Sequence, residues 1–168
     1  VRHFFVVPSR SRRTLDPATL PGLAQAEFSS VFESSWDVSI SRLVKWGNGY
    51  GSHEETATIE PRKAWYLAEG ATHSGFDLFY LLQNPADTAA QVRVRYLQPS
   101  GAPLVKQYTL PPHTRSNIWV DTEQFPEGSG NLALVSTDVS AVIEVLNNVP
   151  IIAERAMYLS GSSLFEAG

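Results

Sequence analysis

The stretch WYLAEGATHSGFDLFYLLQNP, residues 65–85, decides the fold of this chain. Its centre, 76–82, is the longest apolar strand pattern in the sequence. One face of that strand carries Phe76, Leu78, Tyr80 and Leu82, and the other carries Phe79 and Leu81. A strand that is apolar on both faces belongs in the interior of a layered sheet structure rather than at an edge. The pattern therefore predicts that this strand lies in the middle of a β-sandwich.

The rest of the chain repeats this style of segment. Short alternating stretches recur at intervals of about 8–12 residues and are separated by Pro- and Gly-containing turns, which is typical of an all-β sandwich. In 91–97, for example, Val92 and Val94 are expected to point inward and Arg93 and Arg95 outward. No segment sustains the apolar period of a helix. We therefore expect an all-β fold, an antiparallel Ig-like β-sandwich.

Composition narrows the class of protein. The 168 residues are 43% hydrophobic and 18% charged, which is typical of a globular chain. A net charge of -4 argues against non-specific binding to nucleic acid. There is no cysteine and no apolar run long enough to span a membrane, so disulfides, thiolate metal sites and a membrane span are not expected. Because the chain begins at Val1 without a signal sequence, we expect a fragment or a processed product.

An internal repeat predicts two modules. The segment 28–46 aligns with 139–159, which places Glu33 opposite Glu144 and Arg42 opposite Arg155. Residues 59–168 would form a full β-sandwich module, and residues 1–58 a partial second copy, the back half of a repeat, with strands expected at 4–7 and 27–33. The missing half could be supplied by 59–168 of the same chain or by a neighbouring molecule, which would give head-to-tail assembly.

Four strings carry a resemblance to a known type of module: WYLAEGAT (65–72), FDLFYLLQNP (76–85), QVRVRYLQPSGAPL (91–104) and VPIIAERAMYL (149–159). Together they resemble a repeat module of bacterial secreted and surface proteins, a domain type of unknown function that is often found in tandem. The resemblance covers 59–168 well and 1–58 less well, because SRLVKW replaces the ERAMYL string there. It implies an extracellular or cell-surface location and a structural or adhesive role, and it supplies no catalytic residues.

Two arginines are predicted to point inward. By alternation, Arg42 and Arg155 each share a face with apolar residues, and an unpaired buried charge costs several kcal/mol. Glu33, Glu69 and Glu144 are the candidate partners in a structural buried charge pair that fixes strand register. The alternative interpretation of the two arginines is an anion-binding site.

Three tryptophans are candidate contact residues. Trp36 lies in a predicted turn, Trp119 on the presumed outer face beside Asn117 and Asp121, and Trp65 at the start of a strand. For Trp36 we favour packing against a neighbouring module or molecule over stacking on a sugar. For Trp65 we favour core and interface packing over a sugar-stacking surface.

Metal binding and catalysis have weaker support in the sequence. His53, Glu54 and Glu55 lack a second histidine at zinc spacing, and the loop carboxylates of Asp121, Glu123 and Glu127 lack a calcium-loop pattern. The motifs of a nucleophile elbow and of a phosphate-binding loop are missing from the sequence. We expect no enzyme activity, cofactor or metal. The favoured function is a structural or adhesive module or filament subunit, whose partners are itself or neighbouring modules, and the alternative is a carbohydrate-binding module whose exposed aromatics contact polysaccharide.

Overall fold

Strands make up more than half of the described residues beyond residue 40. The structure, a computed structural model, describes residues 1–46, 51–125, 133–160 and 165–167. Its strands, in chain order, are β1 (Ser41–Trp46), β2 (Gly51–Thr56), β3 (Ala64–Leu67), β4 (Phe76–Asn84), β5 (Ala90–Leu97), β6 (Leu104–Leu110), β7 (Thr114–Trp119), β8 (Ser140–Val145), β9 (Ile152–Ser160) and β10 (Phe165–Ala167). Among the described residues, single-turn 3-10 helices lie at Pro17–Thr19 and Val120–Thr122. No helix in the described part of the chain has the length and apolar character needed to cross a membrane.

The strands form three antiparallel sheets. One four-stranded sheet has the order β10-β9-β4-β7, and the other has the order β3-β8-β5-β6. Among the described strands, β1 and β2 pair only with each other, as a hairpin in which Arg42 lies opposite Glu55. The expectation of an all-β fold with antiparallel sheets is therefore confirmed.

The two four-stranded sheets share one hydrophobic core, because their inner faces alternate as the sequence predicts. On β4, Leu78, Tyr80 and Leu82 are at most 1% exposed, and on β5 Val92, Val94 and Tyr96 are fully buried. The rings of Tyr80 and Tyr96 stack across the interface with 6.0 Å between their centroids. Strand β4 is hydrogen-bonded on both sides, to β9 and β7, so the apolar run at 76–82 does lie inside its sheet.

The chain divides into two units, Val1–Phe32 and Glu33–Gly168. Within the first unit, Asp16 caps the single 3-10 turn by accepting a hydrogen bond from the Ala18 N–H at 3.0 Å. The Arg13 guanidinium lies 5.2 Å from the centre of the Phe5 ring and donates to the Val6 carbonyl at 3.1 Å. The unit contains no strand, although all of its residues are described.

The predicted N-terminal half-module differs from the structure. The expected strands at 4–7 and 27–33 are not formed, and the break between units falls after residue 32 instead of after residue 58. Alternation sets only which side chains share a face, whereas a strand also needs a ladder of backbone hydrogen bonds to a neighbouring strand, and neither segment belongs to such a ladder in the described structure. The partial second copy thus stays a prediction.

The structure does not confirm the Ig-like type of sandwich. The consecutive strands β8 and β9 lie in different sheets, and β9 pairs with β4. The coarse description, a β-sandwich-like fold of two antiparallel sheets, is the one that the structure supports.

Candidate functional site

An aromatic cluster lies on the outer face of the β10-β9-β4-β7 sheet. Strand alternation points Leu78 and Tyr80 into the core, so Phe79 points outward, and register places it opposite Trp119 on β7. The two rings stack, with centroids 5.6 Å apart and planes 24° apart. Tyr158 on β9 meets Phe79 edge-on, with centroids 5.8 Å apart. We call Phe79, Trp119 and Tyr158 the aromatic face; Trp119 is 44% exposed and the other two are half-buried.

Asp121 holds this face in place. One of its carboxylate oxygens accepts the Leu78 backbone N–H at 2.9 Å, and the Trp119 side chain hydrogen-bonds to the same carboxylate. Partial burial raises the pKa of Asp121, and the charge of Asp77 acts in the same direction, while these hydrogen bonds oppose the rise. The indole is therefore fixed by its stacking on Phe79 and by a hydrogen bond to an acidic group.

The other end of the same face is charged. Glu154 on β9 points outward next to Leu81, and the Arg42 guanidinium lies 3.4 Å from its carboxylate. Arg42 also pairs with Glu55 at 2.5 Å. Burial raises the pKa of Glu154, as does the charge of Glu55, and Arg42 opposes the rise. This ion-pair group links the β1–β2 hairpin to β9.

A polar cluster lies near the β6 edge of the core. The hydroxyls of Tyr96 and Tyr108 are 2.6 Å apart, and the Tyr108 hydroxyl donates to Glu123 at 2.8 Å. Lys106 forms an ion pair with the same carboxylate, and its ammonium lies 5.9 Å from the centre of the Phe125 ring. Burial raises the pKa of both tyrosines. Because each polar group here is bonded to another, the cluster fastens the loop at 123–125 to the sheet.

Arg155 is the predicted inward arginine that the structure places between the sheets. Register sets it opposite Tyr80, and its side chain is 24% exposed. It donates to the backbone carbonyl of Glu69 at 2.7 Å and lies 3.3 Å from the Glu69 carboxylate. Because the Glu69 side chain is 77% exposed, this contact is a clamp on the link between β3 and β4 and not a fully buried ion pair.

The other predicted buried charges are corrected by the structure. Arg42 is 54% exposed, because its hairpin is a separate two-stranded sheet. Glu144 points outward from β8, where it lies 3.2 Å from both Arg93 and Arg95, so it is not the partner of an inward arginine. Glu33 is exposed and lies in residues 1–40, the segment that lacks strands.

The predicted contact aromatics separate into two groups. Trp36 is 84% exposed and Trp119 is 44% exposed. Trp65 instead is partly buried against the core, and its indole N–H donates to the Ile151 carbonyl at 3.0 Å. Its neighbour Tyr66, 75% exposed, points outward in its place.

Sequence reasoning missed one buried polar residue and most of the aromatic face. Asn84 is fully buried, and its amide donates to the carbonyls of Thr88, Leu110 and Pro111. Its position before a proline predicts a strand end but not this network. Phe79 and Tyr158 were detectable only as outward aromatics, because their meeting depends on the strand order.

No metal site is evident in the residues that the structure describes. Nowhere among them do three His, Cys, Asp or Glu side chains come close enough to hold an ion. His73 pairs with Asp138 at 2.9 Å and His113 with Asp87 at 2.7 Å. Of the three loop carboxylates, Asp121 and Glu123 are bound to protein groups as above, and Glu127 lies outside the described residues.

Comparison with known proteins supports the fold alone. No family model matches the chain, and no curated protein does. The crystal structure of Thermotoga maritima 1070 is similar, with a TM-score of 0.55 and 16% identity over 66% of this chain and 91% of that one. The Anabaena sensory rhodopsin transducer has a TM-score of 0.49 and 21% identity over 59% of this chain and 99% of that one.

Proposed function

We propose that this chain is a non-enzymatic, extracellular structural module that acts through contacts with neighbouring modules or with further copies of itself, made by residues 1–58. The observation that carries the proposal is the exposure of large apolar side chains along the segment that lacks strands. Phe4 is 86% exposed, Val6 77% and Trp36 84%. Exposed apolar groups in such a density mark a surface that a protein partner covers.

The backbone of this segment also favours a β-type contact. Residues 4–7 belong to no strand in the described structure, and each sheet of the second unit ends in edge strands, such as β6 and β7. An extended apolar segment can add to an exposed sheet edge, where main-chain hydrogen bonds give affinity and alternate side chains give specificity. A neighbouring module of the same fold would offer such edges.

Charge supports a contact between unlike surfaces. Val1–Phe32 contains four arginines and two acidic residues, Asp16 and Glu27, so its formal charge is +2. Because the net charge of the whole chain is -4, the remaining residues carry a net charge of -6. Opposite charges on the two partners speed association and fix their orientation. The first unit of one module is therefore suited to the second unit of another, which corresponds to head-to-tail order.

The test is the oligomeric state of the full chain, measured by light scattering over a range of concentrations. We expect self-association that weakens in high salt and is lost in the double variant Phe4→Ser/Val6→Ser. Ile59→Ser is the matched control: Ile59 is 97% exposed but lies outside the N-terminal segment, so this variant should associate like the original chain. A monomer at every concentration would contradict contact between copies.

A further inference from the structure

The aromatic face has the features of a small binding site, independent of the contacts of residues 1–58. On the outer faces of β4, β7 and β9, Trp119 is the one exposed large apolar side chain among the described residues, with 44% of it accessible; Phe79 and Tyr158 beside it are half-buried. By register, Asp77 on β4 and Asn117 on β7 lie on the same side of the sheet. An accessible indole is thus surrounded by positions with carboxylate and amide groups.

We propose that Trp119, supported by Phe79 and Tyr158, binds a neutral saccharide. A sugar ring has an apolar face of C–H groups and a periphery of hydroxyls. The C–H face of the sugar matches the flat face of the indole, and the sugar hydroxyls can donate to acceptors such as the carboxylate of Asp77. This combination of an aromatic surface with a few polar groups that fix orientation is typical of small-ligand sites.

Charge and size select this class of ligand. Asp77 and Asp121 lie close enough to interact electrostatically, so an anionic sugar would be repelled there. A stable protein interface covers about 800 Å² per partner and depletes charged residues from its centre. One accessible indole among carboxylates is too small and too polar for that, but it fits one or two sugar rings.

The site is also rigid before any ligand binds. Asp121 is anchored by the Leu78 N–H, and the Thr122 hydroxyl donates to the Trp119 carbonyl at 3.0 Å. Stacking on Phe79 fixes the indole plane. A side chain that is already ordered loses little conformational entropy on binding, so a small contact area can still give measurable affinity.

The experiment measures retention of the full chain on neutral polysaccharides, by affinity electrophoresis in β-glucan, xylan and mannan gels and by pull-down on cellulose. Polygalacturonate is the anionic comparison. We expect binding to at least one neutral polymer and none to polygalacturonate. Trp119→Ala should lower affinity about tenfold or more, as truncation of a central aromatic contact does. Asp121→Asn, which keeps the shape of the side chain, should weaken binding less.

Two controls make the result specific. Trp36→Ala removes a more exposed tryptophan from the segment without strands, and Tyr66→Ala removes a 75% exposed aromatic from the other sheet. Both should bind like the original chain. The proposal is overturned if no neutral polymer is retained, if Trp119→Ala binds unchanged, or if Trp119→Ala alters the oligomeric state instead, which would make the aromatic face an interface between copies.

Discussion

At the scale of single residues, Arg155 stabilises the link between β3 and β4 more through its hydrogen bond to a backbone carbonyl than through its ion pair. The shorter contact of its guanidinium goes to the Glu69 carbonyl, at 2.7 Å, and the carboxylate contact at 3.3 Å is largely solvated. Arg155→Met should therefore lower the free energy of unfolding by about 1.5–3 kcal/mol, the usual contribution of a hydrogen bond to a charged group. Glu69→Gln should cost less than about 1 kcal/mol, like other exposed ion pairs. Chemical denaturation compares the two, and equal costs would show that the ion pair dominates.

The buried tyrosines predict a loss of stability in alkali. Burial raises the pKa of Tyr80, Tyr96 and Tyr108 above the ordinary value of 10.0. The folded state thus holds these protons more tightly than the unfolded state does, so the stabilisation is complete below pH 10 and is lost as the pH rises above it. Each phenol contributes a slope of up to about 1.4 kcal/mol per pH unit.

Unfolding free energies measured between pH 9 and 11.5 test this expectation. Tyr108→Phe should reduce the dependence of the unfolding free energy on pH by the contribution of one phenol. It also removes the hydrogen bond to Glu123 at every pH. Tyr66→Phe, which removes a phenol hydroxyl from an exposed ring, is the matched control. An equal slope in the original chain and Tyr108→Phe would mean that this phenol ionises without unfolding.

At the scale of elements, the link between β3 and β4 depends on a close approach at Gly70. A Cβ at this position would lie 2.6 Å from the Val139 carbonyl oxygen and 2.8 Å from a methyl group of Leu78. The Leu78 side chain could rotate away, but the carbonyl cannot, because the Val139 N–H is bonded back to the Gly70 carbonyl at 2.9 Å. Gly70→Ala should therefore destabilise the fold by about 1–3 kcal/mol.

Thermal or denaturant unfolding of Gly70→Ala tests this contact. In the double variant with Leu78→Val, the added change should relieve only the side-chain part of the clash, so most of the cost of Gly70→Ala should remain. Gly101→Ala is a useful contrast, because no atom lies within 4 Å of its added Cβ and its cost comes from the positive φ of +90° alone. A stable Gly70→Ala would show that the β8 end moves freely.

The same elements show how far the sequence could predict the structure. In β4 and β5, strict alternation between two buried layers makes each position's face readable from the letters, and the buried residues match. Alternation also placed Trp119 outward. It failed for Arg42, because a two-stranded hairpin has no second layer to make one face an interior. The partners of Glu144 and the aromatic face depend on which strands are neighbours, and periodicity carries no such information.

At the scale of the whole molecule, the contrast between ordered sheets and a segment without strands predicts a pattern of amide hydrogen exchange. Amides in β4, β5, β8 and β9 belong to strands hydrogen-bonded within their sheets and should exchange slowly. Residues 4–7 and 28–38 belong to no strand and should exchange rapidly in a dilute, monomeric sample.

Amide exchange measured at several protein concentrations then distinguishes the proposed contact from other forms of association. If residues 4–7 add to the sheet edge of another copy, their amides gain ladder hydrogen bonds, so they should become protected as the oligomer forms, while those of β4 and β5 change little. Phe4→Ser/Val6→Ser should abolish this added protection and Ile59→Ser should retain it. Protection of 4–7 in the monomer would instead mean that the segment pairs within its own chain. Oligomers in which 4–7 still exchange rapidly would assign the contact to a different surface, with the aromatic face around Trp119 as the first to examine.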